Sequence, residues 1–330
     1  MEPLRRLQGF EQYKIVSDPR RQAILRLLMV EPATLSQLGQ SLGEHPARVR
    51  HHLKILEKAG LVELVNTRVV RGFVEKYYSS KAQAFLLQEM LLPAGATAKT
   101  VIIMGSHDLA LDMATRRLRE EQGLDFLVVP VGSLEGLVAL RQGNAHLAGC
   151  HLLDTCSAEY NRPYVEHLFP EGIMCLFTMA HRQQGLLLSP GNPLQIHSMG
   201  DLTREDVTFV NRNRGSGTRL WIDHHLQQLE IKPQQVRGYQ QEVRTHTAVA
   251  QAVLQGGASV GVGLFASARQ AGLDFIPLFQ ERFDLVLSRE MAQSQRLLPL
   301  LEYLRGDEFR VLLKELGGYD ASQTGEMVDV

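Results

Sequence analysis

The sequence predicts two domains: a small basic α+β domain of helices and a β-ribbon, then a larger α/β domain whose sheet comes in two halves. Three observations predict them. The chain has 330 residues, more than one ordinary core organises. Its charge is uneven, since residues 1–92 hold 14 Lys and Arg against 9 Asp and Glu, an excess of +5, whereas residues 93–330 hold 21 against 27, a deficit of −6. The hydrophobic period also changes. Helical stripes dominate before the aperiodic Pro/Gly/Ala linker 93–99, and short continuous apolar runs alternate with helical stretches after it. The boundaries are therefore 1–92, 93–99 and 100–330.

In the first domain, Asp18-Pro19 reads as a cap followed by a proline at the first helical position, with Ile24, Leu25, Leu27 and Leu28 as the apolar stripe behind it. Thr34 opens a second helix, Gln37 completes a capping box, and Gly43 closes it. A third helix runs from His45 towards Gly60 with Val49, Leu53 and Leu56 inward and Arg48, Arg50, His51 and Lys54 outward. Two short helices joined by a glycine turn, the second basic, make a helix-turn-helix, whose second helix enters the major groove of DNA. Residues 61–66 and 72–78 are strand-like and enclose the basic tip Thr67-Arg68-Val69-Val70-Arg71, which suits phosphate contact.

The stretch from Asp18 to Tyr78, with His51-His52-Leu53-Lys54-Ile55-Leu56-Glu57-Lys58-Ala59-Gly60 and then Arg71-Gly72-Phe73-Val74-Glu75-Lys76-Tyr77-Tyr78, resembles the winged helix-turn-helix of ArsR-type bacterial repressors. The resemblance implies double-stranded operator DNA as a partner. Thr34, Ser36, Pro46, Arg48, Arg50, His51, Lys54, Arg68 and Arg71 are the DNA-facing candidates. It also implies a homodimer formed through flanking helices at 4–16 and 81–92. The second helix carries no cysteine, so a metal-sensing role at that place is not expected.

In the second domain, residues 100–105, 126–131 and 145–150 are continuous apolar runs of the kind buried in parallel sheets. Ser106-His107-Asp108 and Gly132-Ser133 each stand where such a strand ends and a helix begins. A second half starts near Ile173. It includes the strand Phe209–Arg212, the turn Gly215-Ser216-Gly217 with Thr218 and Arg219 in the following helical turn, and a further helix start at Thr245-His246-Thr247. Residues 275–278 and 283–288 form the return crossing, and residues 291–318 supply terminal helices. Glycine lets backbone approach a ligand closely, and free N–H groups at a helix start favour an anion. Ligands of such sheets bind beyond the carboxyl ends of the strands.

This organisation resembles the type II periplasmic-binding-protein fold, an α/β architecture of two lobes clamping a ligand. More narrowly, Gly105-Ser106-His107-Asp108, Gly149-Cys150-His151, His181-Arg182-Gln183-Gln184-Gly185, the run from Asn211 to Arg219 and Thr245-His246-Thr247 resemble molybdate-receptor-like domains joined to bacterial DNA-binding modules. The resemblance implies a small tetrahedral oxyanion, molybdate or tungstate, held by Ser106 and Ser133 from one lobe and by Ser216, Gly217, Thr218 and Thr247 from the other. His107 and His246 are either further donors or structural histidines at helix starts. Gly261–Phe265 lacks the tyrosine that some molybdate receptors place there, and Arg214 and Arg219 suit a carboxylate or phosphate equally well. A carboxylated or phosphorylated metabolite is therefore the alternative ligand.

No run of about 18 apolar residues is present and the start lacks a signal segment, so a cytoplasmic protein without a membrane partner is expected. Three cysteines, Cys150, Cys156 and Cys175, have no paired metal spacing. His146, Cys150, His151 and Cys156 form the nearest thing to a soft-metal cluster, and we assign no metal and no cofactor to them. Ser106-His107-Asp108 caps one helix and cannot form a catalytic relay among its own three members, so no enzymatic activity is expected. The reading is a one-component transcription regulator switched by a small anion.

Overall fold

The computed structural model describes residues 2–7, 9–70, 73–87 and 99–330. The chain divides into two compact units, Met1–Pro93 and Ala94–Val330. Of the expected linker 93–99, only Lys99 is described.

In the first unit, β1 (Arg5–Leu7) and α1 (Phe10–Val16) lead to α2 (Pro19–Val30), α3 (Leu35–Leu42) and α4 (Pro46–Lys58). The hairpin β2 (Val62–Val70) and β3 (Phe73–Ser80) and a short β4 (Phe85–Leu87) follow. Local chemistry sets the helix starts. Asp18 accepts the N–H groups of Arg20 and Arg21. Thr34 Oγ1 accepts from Gln37 N at 3.3 Å while Gln37 Oε1 accepts from Thr34 N at 2.8 Å, a device that contributes about 1 kcal/mol. Gly43 ends α3 at φ 64°, a left-handed conformation that glycine adopts without strain. Leu25 and Leu28 of α2, Leu38 of α3 and Val49, Leu53 and Leu56 of α4 meet in one core with Tyr78 of the hairpin.

The flanking segments correct an expectation. Helices were expected at 4–16 and 81–92; the first is present as the shorter α1 (Phe10–Val16), while β1 and β4 pair as parallel strands, Arg5 opposite Phe85. Ser80 explains the extended chain after the hairpin: its hydroxyl donates to Ala82 O at 2.7 Å and accepts from Ala82 N at 3.3 Å. A side chain that satisfies its neighbour's backbone competes with helix formation, and Phe85 then packs on the helical core. Residues 88–92 and the expected wing-tip Arg71 lie outside the described residues.

The second unit alternates as foreseen. β5 (Val101–Gly105), α5 (Leu109–Gln122), β6 (Phe126–Pro130), α6 (Ser133–Arg141), β7 (Leu147–Cys150) and α7 (Arg162–Leu168) build one lobe. The long β8 (Met174–Leu188) crosses to the other, which holds β9 (Phe209–Arg212), α8 (Gly217–Gln228), β10 (Glu242–Val243), α9 (His246–Leu254), β11 (Val260–Leu264) and α10 (Phe265–Ala271). β12 (Asp274–Ser288) returns, and α11 (Arg289–Ala292), α12 (Leu298–Arg305), α13 (Asp307–Leu316), β13 (Tyr319–Asp320) and β14 (Met327–Asp329) finish on the first lobe. The strand order is β10-β9-β11-β8-β12-β7-β5-β6, with β13 and β14 added along β8. β5, β6 and β7 run parallel, as do β9, β10 and β11, while β8 and β12 are antiparallel to each other.

The return crossing differs from the two pieces expected. It is one strand of 15 residues with register shifts at Pro277/Phe279 and Phe283/Asp284. The polar triplet Gln280-Glu281-Arg282 looks like a break in the sequence, yet Glu281 stands directly opposite Arg182 of β8. Separate cores fill the lobes: Ile103, Leu111, Leu118, Phe177, Leu300 and Phe309 belong to the first, Leu186, Phe209, Ile222 and Val262 to the second. Among the described residues, no helix is long and apolar enough to cross a membrane.

Candidate ligand cleft

The carboxyl ends of the strands bring four helix starts together. Asp108 caps α5 and accepts from Leu111 N at 2.8 Å; Ser133 is the first residue of α6; Ser216 caps α8 and accepts from Arg219 N at 3.2 Å; Thr245 caps α9 and accepts from Ala248 N at 3.0 Å. Glycine sets how closely the lobes meet there. A Cβ on Gly217 of the second lobe would lie 2.1 Å from His151 O of the first, so only glycine permits this approach. Leu134 N also donates to Gly215 O at 3.3 Å, and Asn213 Nδ2 donates to Val131 O at 3.2 Å. Glu135 of the first lobe presents its carboxylate where a Cβ on Gly215 would be.

The centre is polar and closed to solvent. Ser106, His107, Ser133, His151, Arg182, Gln184, Arg212, Thr218, His246 and Glu281 are all buried. Ser106 Oγ lies 2.6 Å from His151 Nε2, and His151 Nδ1 lies 2.5 Å from Glu281 Oε2. The backbone N–H of His151 donates to Ser133 Oγ at 3.2 Å. Arg182 donates to Asp108 at 2.9 Å and to Glu281, and its guanidinium lies 4.1 Å from the Phe283 ring centre. Burial opposes its charge, but Glu281 and Asp108 outweigh that and raise its pKa. Burial likewise opposes ionised Glu281, yet Arg182 and His151 hold its carboxyl below the usual range.

Arg212 is different. Its Nη1 lies 3.0 Å from both ring nitrogens of His246, and Nη2 donates to Arg244 O at 2.9 Å. Among the described residues it makes no ion pair with a carboxylate, and its Nε is buried without a hydrogen-bond partner. Burial brings its pKa down to about 10. Burial first, then Arg212 and Arg182, push the His246 imidazole well below its ordinary value. Gln184 Nε2 and Oε1, Thr218 Oγ1 and His107 Nδ1 are further buried atoms without a partner. Buried polar atoms are nearly always satisfied, so these atoms are the hydrogen-bonding groups that the cleft could offer a polar ligand.

The expected ligand residues therefore divide. Ser106, Ser133, Gly217, Thr218, His107 and His246 come together at the cleft. His107 Nε2 is 3.0 Å from Asp112. Ser216 serves as a cap, and Thr247 is half-buried in the first turn of α9. Arg214 is exposed at the rim, 3.8 Å from Glu242. Arg219, expected at the ligand, is instead braced by Asp223 at 2.9 Å, Glu242 at 2.9 Å and the face of Tyr239 at 4.4 Å. Its charge is spent on the second lobe itself. Arg182, Gln184, Arg212 and Glu281 were not singled out as site residues.

The soft-metal candidates do not converge. Cys156 is exposed, Cys150 is buried, and His146 Nδ1 accepts from Ile102 N at 2.9 Å. A different group, His151, His246 and Glu281, has ligand atoms within 4.8 Å of one another. Arg182 and Arg212 lie against it, and two guanidiniums disfavour a cation there.

In the first unit, Ser36, Pro46, Arg48, Arg50, His51, Lys54 and Arg68 are exposed, whereas Thr34 is buried in its capping box. Arg48 pairs with Glu44 at 3.0 Å and Lys54 with Glu57 at 2.7 Å. Arg68 lies over Tyr77, 5.3 Å from its ring centre.

Comparison with known proteins matches this division. Residues 18–63 match the model of the bacterial regulatory protein arsR family, and residues 115–305 match that of the PBP superfamily domain. The uncharacterized protein YvgK of Bacillus subtilis is 32% identical over 227 residues, spanning 69% of this chain and 73% of that protein. An uncharacterized Clostridium pasteurianum protein, from the 5′ region of a 2Fe-2S ferredoxin gene, is 37% identical over 110 residues, covering 33% of this chain and 97% of its own. The crystal structure of a Clostridium perfringens ABC transporter substrate-binding protein with bound phosphate superposes with a TM-score of 0.50 at 13% identity, covering 67% of this chain and 98% of that one. The chain belongs to the PBP superfamily domain family and carries an arsR-family helix-turn-helix before that domain.

Proposed function

We propose that the protein is a ligand-controlled transcription regulator whose second unit binds a small oxyanion, molybdate or tungstate, between its lobes. The observation that carries the reading is Arg212, a buried guanidinium without a carboxylate partner among the described residues. A buried charge is expensive unless paired, and an anion in the cleft supplies the pair. Gln184, Thr218 and the hydroxyls of Ser106 and Ser133 then act as neutral donors, with the starts of α6 and α8 contributing their dipoles. The close approach of Gly217 to His151 favours a small ligand over an extended one. A carboxylated or phosphorylated metabolite would satisfy Arg212 through the same bidentate chemistry. Competition between oxyanions and carboxylates separates the two.

Thermal unfolding with molybdate, tungstate, sulfate, phosphate and chloride tests this. A ligand at about a hundred times its dissociation constant adds roughly 2.7 kcal/mol, which should raise the midpoint by roughly 5–10 °C in a domain of this size. If none of the inorganic anions moves it, the oxyanion assignment is wrong and organic acids become the candidates.

On the DNA side, α4 presents Arg48, Arg50, His51 and Lys54 to the major groove and the ribbon presents Arg68 to the backbone. Thr34 acts there by holding the start of α3. Two copies reading a palindrome would form the working unit, inside the cell where DNA is. Closure shifts DNA affinity only if the ligand-bound state binds DNA with a different free energy. Arg50→Ala is expected to weaken binding to a duplex selected from a random pool by about tenfold to a hundredfold, the range for losing one base-reading side chain. Fluorescence anisotropy across salt concentrations checks it. Unchanged affinity in an Arg50→Ala/Lys54→Ala double variant would remove α4 from the interface.

A further inference from the structure

We infer that the cleft takes up one proton with each oxyanion it binds, and that His151 holds this proton in a chain running from Glu281 through the imidazole to Ser106. The inference rests on the anion-binding reading above.

In the closed cleft Glu281 Oε2 faces His151 Nδ1 at 2.5 Å and Ser106 Oγ faces Nε2 at 2.6 Å. Nδ1 is not aligned for a hydrogen bond with the carboxylate, but at 2.5 Å from it the ring proton is held best on Nδ1, which leaves a lone pair on Nε2 for Ser106 to donate to. A hydroxyl has only one proton to donate. When Ser106 turns that proton to a ligand oxygen, Nε2 becomes a buried acceptor without a donor, a costly state in a site sealed from water. A proton from solvent resolves it. The new Nε2–H donates to the free lone pair of Ser106 Oγ, and the imidazolium then lies between the Glu281 carboxylate and the bound anion. No other bond is made or broken, and the sole reactant besides the anion is one solvent proton.

Charge balance runs the same way. Arg182 is shared by Asp108 and Glu281 while Arg212 has no carboxylate partner among the described residues, so a dianion that pairs with Arg212 still brings uncompensated negative charge into a low-dielectric interior. The groups around His151 are Glu281 and Phe283 of β12, Arg182 of β8, Arg212 of β9, His246 of α9, Ser133 of α6, Gly217 of α8 and Ser106 ahead of α5. Burial and the two guanidiniums keep the free ring below its ordinary pKa, against Glu281. A bound anion offsets the guanidiniums and leaves Glu281 dominant. His246 is the poorer host, since Arg212 faces both its nitrogens at 3.0 Å.

The test is calorimetric titration of the full chain with sodium molybdate, which stays a dianion near neutral pH, in buffers of different ionisation heat. Uptake of about one proton per molybdate is expected, with affinity falling about tenfold per pH unit above neutrality, because the proton is held only in the complex. Histidine-labelled protein should show one imidazole becoming imidazolium on binding, and uptake should fall to near zero in His151→Gln. Should that variant fail to fold, the labelled wild-type protein decides. Molybdate binding with no proton uptake and a flat pH profile overturns the chain while leaving the anion site standing. Absence of binding by molybdate, tungstate and sulfate alike overturns both.

Discussion

Replacing Arg182 with Met is expected to destabilise the second unit by about 3–5 kcal/mol at neutral pH, the range for removing one partner of a buried ion pair. The side chain is fully buried, and its guanidinium joins Asp108 of the first lobe to Glu281 of the returning strand. Met fills much of the volume but satisfies neither carboxylate. Asp108 keeps Leu111 N and the Tyr319 hydroxyl, and Glu281 keeps His151, so the loss falls short of two bare buried charges. The pH dependence should reverse. In the wild-type protein the Glu281 pKa is lowered by folding, so its contribution is present above the usual carboxylate range and is lost as pH falls through the folded value. In Arg182→Met the carboxyl loses its guanidinium and burial raises it instead, so acidification relieves the variant. Urea unfolding at pH 7 and pH 4.5 should show a gap that narrows on the acid side. A deficit below about 1 kcal/mol at pH 7 would mean the pair is not a structural brace.

The contrast between the two buried arginines also shows what the sequence could reveal. Helix starts were legible because their causes are local: Asp18, Thr34, Asp108, Ser216 and Thr245 cap helices through hydrogen bonds that reach at most three residues ahead. The alternation of β5, α5, β6 and α6 was legible for the same reason. Arg182 and Gln184 were not, because they lie on a crossing strand buried on both faces, where no period of two shows which way a side chain points, and Glu281 was not, because it stands in a polar triplet. The meaning of Arg182 and Glu281 comes from pairings that span 74 and 99 residues of sequence, Arg182 with Asp108 and with Glu281. Arg219, expected at the ligand, had a local cue that pointed the other way. Asp223 lies one helical turn beyond Arg219, the spacing at which an ion pair neutralises an arginine on its own helix. Arg212 ends a strand whose four residues are all buried, and no acidic residue is spaced to meet it.

Arg212→Met should therefore behave in the opposite way to Arg182→Met. Without ligand the variant is expected to be at least as stable as the wild-type protein, by up to roughly 3 kcal/mol, because burial lowers the Arg212 pKa to about 10 and each unit of such a shift corresponds to about 1.4 kcal/mol. The sign follows from the depressed folded-state value. The unfolded chain binds the extra proton only between that value and the ordinary one, so the penalty is constant through neutral pH and is relieved only in strong alkali. The Arg244 carbonyl loses a donor, but Arg244 is exposed and water replaces it; the buried His246 ring also loses the Nη1 contact, which reduces the gain. Stabilisation by molybdate should vanish, since the counterion the anion would meet is gone. Calorimetric melting of both proteins with and without molybdate reads the two effects together. A variant that melts well below the wild-type protein without anion would make Arg212 a structural brace like Arg182. A variant that gains stability and loses its response to anion would show that the second unit keeps a destabilising charge in its interior for binding.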